Sequence, residues 1–251
     1  MTKRTLIVVP CYNEEKRLDE KAFLAFADPN PECGFLFVND GSTDRTGDVL
    51  QKLSGSHSGS FAVHELARNS GKAEAVRQGI LKALEFNPVY IGMWDADLAT
   101  PLEAIIQFTN ILETRPEVDL LTGARVKLLG RNIERDGFRH YLGRLSATLI
   151  SFVLGIAVYD TQCGAKVFRV TDHIKDLFQE PFVSSWIFDV EIISRLIAAH
   201  RRGLSAAPEQ TIWEVPLETW VHKDGSKIRP ADYFRALYDL FKIRQRYFRA
   251  G

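Results

Sequence analysis

Short apolar runs alternate with amphipathic stretches through the first half of the chain. Thr5–Val9, Phe35–Asn39, Ala62–Leu66, Val89–Trp94 and Leu120–Arg125 are runs of strand length. Between them, apolar positions recur at helical spacing over Glu14–Phe26, Thr43–Leu53, Lys72–Glu85 and Pro101–Thr114. Apolar residues three and four apart share one helix face, whereas an unbroken apolar run suits a strand covered on both sides. The alternation predicts βαβ units with right-handed crossovers, hence an α/β fold with a mostly parallel, Rossmann-like sheet flanked by helices. There is no internal repeat, and the Ser- and Gly-rich Ser54–Ser60 reads as a surface loop.

After Arg125 the rhythm changes. Residues 125–144 hold six Lys or Arg against Glu134 and Asp136, and the weakly polar stretch Tyr141–Ile156 follows. Residues 229–251 hold six Arg or Lys against Asp232 and Asp239, interleaved with Tyr233, Phe234, Leu237, Leu240, Phe241, Ile243, Tyr247 and Phe248. This predicts a basic amphipathic helix at 229–251, appended to one domain at 1–228.

Composition narrows the class. The 251 residues are 45% apolar and 25% charged, enough for a sizeable core. Basic and acidic residues balance at 32 each, which disfavours a nucleic-acid partner. Cys11, Cys33 and Cys163 lie far apart, as expected of reduced thiols in a cytoplasmic setting. The first residues run almost directly into a strand without a signal-peptide pattern. Ala147–Val158 is too short to span a bilayer, which takes about 20 apolar residues. The six histidines form no ligand pair at helical spacing; Trp213 and Trp220 read as packing residues, and Trp186, close to Asp189 in sequence, as packing residue or sugar platform.

The polar residues that end the strands carry the chemistry. The run Tyr90–Trp94 ends in Asp95-Ala96-Asp97, paired acids suited to a hard divalent cation that carries phosphates. The first strand ends in Pro10-Cys11-Tyr12-Asn13-Glu14-Glu15. Asn13 can cap a helix there, and Tyr12 can offer its face to a flat base. The second strand ends in Asn39-Asp40-Gly41-Ser42-Thr43-Asp44, an Asp-Gly turn before a helix that also presents Asp40 to a nucleobase or ribose. Arg68-Asn69-Ser70-Gly71-Lys72 opens the third helix and can bring a cation and backbone donors to phosphate, although it lacks Walker-loop spacing. In a parallel sheet these strand ends share one edge.

PCYNEE, NDGSTD, RNSGK, DAD and DTQCG together resemble the inverting glycosyltransferases of family 2, with the GT-A fold. The likeness is to the dolichyl-phosphate glucosyltransferases and related polyprenyl-phosphate hexosyltransferases. It implies a UDP-sugar donor, glucose preferred, a polyprenyl or dolichyl monophosphate acceptor, and Mg²⁺ or Mn²⁺ held by Asp95 and Asp97. It places Pro10, Tyr12, Glu14 and Asp40 around the nucleoside with Gly71 and Lys72 nearby. It places Arg125 and Arg144 on the acceptor phosphate, with Arg131, Arg135 and Arg139 in the loop between. Gln162 falls beside the donor sugar, Asp189 serves as sugar ligand or base, and Lys227 reaches the diphosphate. Mannosyl relatives often carry Gln two residues after the second aspartate. Ala99 stands there and cannot ligate, which points to the glucosyl branch.

A lipid-linked acceptor implies peripheral membrane contact, through Tyr141–Ile156 and the terminal helix, at the cytoplasmic face. Two alternatives stay open: the same fold acting on a hydroxyl of a saccharide, as in capsule or lipopolysaccharide assembly, or a nucleotide-sugar-binding subunit without turnover. A nucleotidyltransferase would need a Gly-rich basic loop after the first strand, which is absent from the sequence.

Overall fold

The computed structural model describes residues 3–133, 137–221 and 230–248, with the backbone alone for 137–142, 144, 145 and 230–233. In chain order the first half runs β1 (Thr5–Cys11), α1 (Glu20–Ala27), β2 (Cys33–Asn39), α2 (Thr46–Ser56), β3 (Phe61–Glu65), α3 (Lys72–Leu84), β4 (Tyr90–Met93), α4 (Glu103–Thr114) and β5 (Leu120–Ala124). The second half runs β6 (Asn132–Ile133), α5 (Gly137–Leu154), β7 (Lys166–Arg169), α6 (Asp172–Asp176), α7 (Phe188–Arg201), α8 (Pro208–Thr211), β8 (Ile212–Pro216), β9 (Thr219–Trp220) and α9 (Pro230–Tyr247).

Seven strands form one sheet in the order β3-β2-β1-β4-β7-β5-β8. The β1–β2, β1–β4, β2–β3 and β5–β8 pairs are parallel, and β7 lies antiparallel between β4 and β5. Leu6, Ile7, Val8 and Val9 are all fully buried, because helices cover both faces of the central strand. One face packs Phe23, Phe35, Phe37 and Phe108, and the other packs Val76, Ile80, Phe168 and Ile192. Truncating one such phenylalanine to alanine typically costs about 3–5 kcal/mol. A third apolar cluster joins α5, α7 and α9 through Ile150, Val190, Ile193, Leu240 and Ile243.

The first helix begins six residues later than the sequence pattern predicts. Asn13 does not cap it; α1 begins at Glu20, where Asp19 accepts the Ala22 amide at 3.0 Å. The residues before it are held by the loop after β2. Asn13 accepts the Thr43 amide at 2.9 Å, and the Glu14 amide donates to Thr46 Oγ1 at 2.7 Å. Asn13 also adopts a positive φ of 54°, which breaks a helix there.

Candidate active site

The ends of β1, β2 and β4 and the start of α3 meet at one edge of the sheet. A cavity of about 340 Å³ there is lined by Pro10, Tyr12, Glu14, Asp40, Gly71, Lys72, Asp95 and Asp97. Tyr12 is 43% exposed, so its ring is open to a planar ligand.

Asp40 is buried, and its two oxygens accept the Ser70 amide at 2.7 Å and the Gly71 amide at 2.8 Å. The end of β2 thereby fixes the segment that opens α3. Gly41 makes this approach possible: its φ is +62°, and a Cβ there would lie 2.4 Å from the Arg68 carbonyl carbon.

At the head of α3, Lys72 Nζ lies 2.5 Å from Asp95 Oδ1. Burial pushes the Lys72 ammonium towards neutrality, but Asp95, Asp189 and Asp97 outweigh it and hold its pKa above the ordinary lysine value. Burial likewise pushes Asp95 up, while Lys72, Lys166 and Arg125 bring it below the ordinary carboxylate value. Asp95 thus sits ionised among three cations. Asp97 lies on the turn that follows: the Leu98 amide donates to the Asp95 carbonyl at 3.2 Å, and the Ala99 amide to Asp97 Oδ1 at 3.0 Å. Leu98 takes a φ of 52°, a left-handed conformation that a branched side chain rarely adopts, so the turn carrying both acids is strained.

The donor set fits a hard cation. Among the described residues no group of three or more His, Cys, Asp and Glu could hold a metal ion unaided. Asp95 and Asp97 on one turn match the one or two carboxylates that hold Mg²⁺-type ions beside phosphate oxygens. Glu14 adds an excess of negative charge. Its Oε1 takes Arg17 at 2.6 Å, while its Oε2 is buried without a partner. Burial raises the Glu14 pKa, Arg17 opposes the rise, and Asp97 and Asp44 add to it.

The DTQCG turn closes the far side. Asp160 accepts Nε and Nη2 of Arg125, each at 2.7 Å, together with the Arg125 amide at 3.0 Å. The Tyr159 and Asp160 amides donate to Glu214 at 2.7 and 2.6 Å. Burial raises the Cys163 thiol pKa, leaving an inert packing residue. A Cβ on Gly164 would lie 2.0 Å from Asp95 Oδ2, so only glycine lets this turn rest against that carboxylate. Gln162 Nε2 is buried and unpartnered. Asp189, in the first turn of α7, is buried with its Oδ1 2.6 Å from Lys166 Nζ.

Not every expected residue reaches this edge in the same way. Two guanidinium nitrogens of Arg125 are engaged by Asp160, and Arg131 pairs with Glu218 at 2.8 Å. Arg144 and Arg139 lie on α5 with their side chains outside the described residues, and Arg135 and Lys227 fall outside the described residues altogether. Sequence reasoning missed Lys166 and Glu214. The signal for Lys166 was present, a lone lysine inside the apolar strand run Ala165–Phe168.

The largely parallel sheet, with acids and a lysine around a cavity at its strand ends, fits the α/β plan in which ligands bind beyond the carboxyl ends of the strands. The Glycosyl transferase family 2 profile matches residues 6–176, and the chain belongs to that family. It is 32% identical to a dolichyl-phosphate beta-glucosyltransferase of Trichomonas vaginalis over 259 residues, covering 98% of this chain and 72% of the relative. It is 31% identical to the dolichyl-phosphate beta-glucosyltransferase of Mus musculus over 261 residues, covering 98% and 76%. Glucosyl-3-phosphoglycerate synthase of Mycobacterium tuberculosis, solved with Mn²⁺, UDP and glucosyl-3-phosphoglycerate, shares the fold with a TM-score of 0.65 at 18% identity, over 97% of this chain and 80% of that one.

Proposed function

We propose that the protein transfers a hexose, glucose preferred, from a UDP-sugar to a polyprenyl or dolichyl monophosphate with inversion at the anomeric carbon. The observation that carries this reading is the convergence of the eight donor-side residues on one cavity, in a chain that resembles dolichyl-phosphate glucosyltransferases along nearly its whole length.

The nucleoside lies against Tyr12, with Glu14 Oε2 and Asp40 as acceptors for base and ribose. Asp95 and Asp97 hold Mg²⁺ or Mn²⁺, which when bound supplies a Lewis acid that neutralises the leaving diphosphate. Lys72, kept protonated by Asp95, stands at the same place. An ionised acceptor phosphate oxygen forms its bond to the anomeric carbon as the bond to the diphosphate oxygen breaks. The protein's part is positioning and electrostatics. Gln162 donates to a sugar hydroxyl, Arg144 and the remaining edge of Arg125 serve the acceptor phosphate, and Lys227 serves the diphosphate.

The second reading, transfer to a saccharide hydroxyl, needs a base to remove a proton. Asp189 is held by a buried lysine, which favours the phosphate acceptor, already ionised. Asp189→Ala separates the two: near-complete loss of turnover supports the hydroxyl acceptor, partial loss the phosphate. A binding subunit without turnover is excluded by UDP release that Asp97→Ala abolishes.

Contact with a lipid surface at the cytoplasmic face completes the proposal. No helix among the described residues is long and apolar enough to cross a membrane. On α9, Phe234, Leu237, Tyr238 and Phe241 form an exposed stripe at helical spacing, and Arg235, Arg244 and Arg246 are exposed beside it. Such a face suits an anionic interface. The deciding experiment is a panel of UDP- and GDP-sugars with polyprenyl phosphate, with and without Mn²⁺. Labelling of a free saccharide in place of the lipid overturns the lipid reading.

A further inference from the structure

Lys166 is fully buried at the first position of β7, paired across the sheet with Met93 on one side and Thr122 on the other. Met93 is two residues from Asp95, so the ammonium lies at the same sheet edge as the paired acids. It donates to the Thr161 carbonyl at 3.0 Å and the Cys163 carbonyl at 2.5 Å. It also stands 2.6 Å from Asp189 Oδ1 in a buried ion pair. Three acceptors from two separate segments thus converge on one buried cation.

Burying an ion pair rarely stabilises a fold more than apolar packing of the same volume. A charged lysine inside an apolar strand therefore serves geometry better than it serves stability. The geometry here is specific. The carbonyls it grips flank Gln162, whose buried amide donor has no partner, and lead into Gly164, which rests on the Asp95 carboxylate.

We propose that Lys166 is a positioning residue of the donor-sugar site. It ties the 160–164 turn to the head of α7, so that the Gln162 amide and the Asp189 carboxylate are presented beside Asp95 as one preorganised wall. An unpartnered buried amide donor beside a buried carboxylate matches a polyhydroxylated ring, whose hydroxyls accept and donate. The sugar assignment rests on the glycosyl-transfer reading above; the tether itself does not.

Lys166→Met alone strands a buried carboxylate, so the informative comparison is Asp189→Asn against Lys166→Met/Asp189→Asn. Amide hydrogen exchange over residues 160–164 is expected to be about tenfold faster in the double variant, with β1 unchanged, as for a local loss of order. UDP affinity is expected to stay within about threefold, while the affinity gained from UDP to UDP-glucose falls about tenfold, one to two hydrogen bonds' worth. Equal exchange in the two variants overturns the tether, and so does a rise that extends equally to β1. A faster turn with the UDP-glucose advantage intact overturns the link to the sugar. If the wild-type protein binds no UDP and the exchange difference is still found, the donor reading fails and the tether stands.

Discussion

Lys72 Nζ and Asp95 Oδ1 lie 2.5 Å apart, a contact that joins the head of α3 to the end of β4. It divides the roles of the paired acids. Asp95 is already balanced by cations, whereas Asp97, two residues beyond it, accepts the Ala99 amide.

The pair sets a pH signature. Asp95 is held below the ordinary 3.8, so its contribution to stability is complete above that value and is lost as pH falls through the lower folded value. Lys72 is held above the ordinary 10.5, so its contribution is complete below that value and is lost as pH rises through the higher folded value. Asp95→Asn is therefore expected to lower the melting temperature by a constant amount in between, with the gap to wild type closing in acid. A gap that is widest below pH 3.8 contradicts this assignment.

Asp97→Ala is expected to remove the response to Mn²⁺ and to lower turnover about 10²–10³-fold, the usual loss when charge stabilisation of a leaving group is removed. Calorimetry of UDP binding with and without Mn²⁺ checks it: the wild type gains affinity from the ion and the variant does not.

Glu14 carries the opposite sign from Asp95. Its folded pKa is raised above the ordinary 4.5, so the folded state loses stability as pH rises from that value through the raised one, and the penalty is full above both. Glu14→Gln removes the penalty. Without divalent cation, the variant should melt higher than wild type at neutral pH and equally in acid; added Mn²⁺ should narrow the neutral-pH gap.

Arg125→Ala removes both guanidinium hydrogen bonds from the buried Asp160 carboxylate. Destabilisation of about 3–5 kcal/mol is expected, read from urea unfolding. Arg125→Lys cannot reproduce the two parallel hydrogen bonds and should recover only part of the loss. If Arg125→Ala is fully stable and only acceptor KM changes, the guanidinium belongs to the acceptor and not to Asp160.

Gly164→Ala tests the packing of the turn against Asp95. Its Cβ would fall 2.0 Å from Oδ2, so the carboxylate must move. Displacement by about 1 Å is expected to lower turnover about 10²-fold while the circular dichroism spectrum stays that of the wild type.

The alternation of apolar runs and amphipathic stretches determined the parallel half of the sheet, because local period and burial on both faces leave few other solutions. Polar strand ends in one order then brought Pro10, Tyr12, Asp40, Lys72, Asp95 and Asp97 to one cavity. Local pattern failed where a distant partner decides. Asn13 carries the residue type of a cap, yet the loop after β2 claims its side chain and delays α1. The antiparallel insertion of β7 between β4 and β5 is a long-range pairing with no trace in periodicity. Arg125 reads as a phosphate ligand until Asp160 is found against it, and the lone Lys166 of an apolar run has no visible partner until Thr161, Cys163 and Asp189 close around it. The sequence determined which groups stand at the sheet's edge, since that follows from strand order and spacing. Tertiary structure alone decided which of those charges are engaged within the protein, since that depends on contacts between residues tens of positions apart.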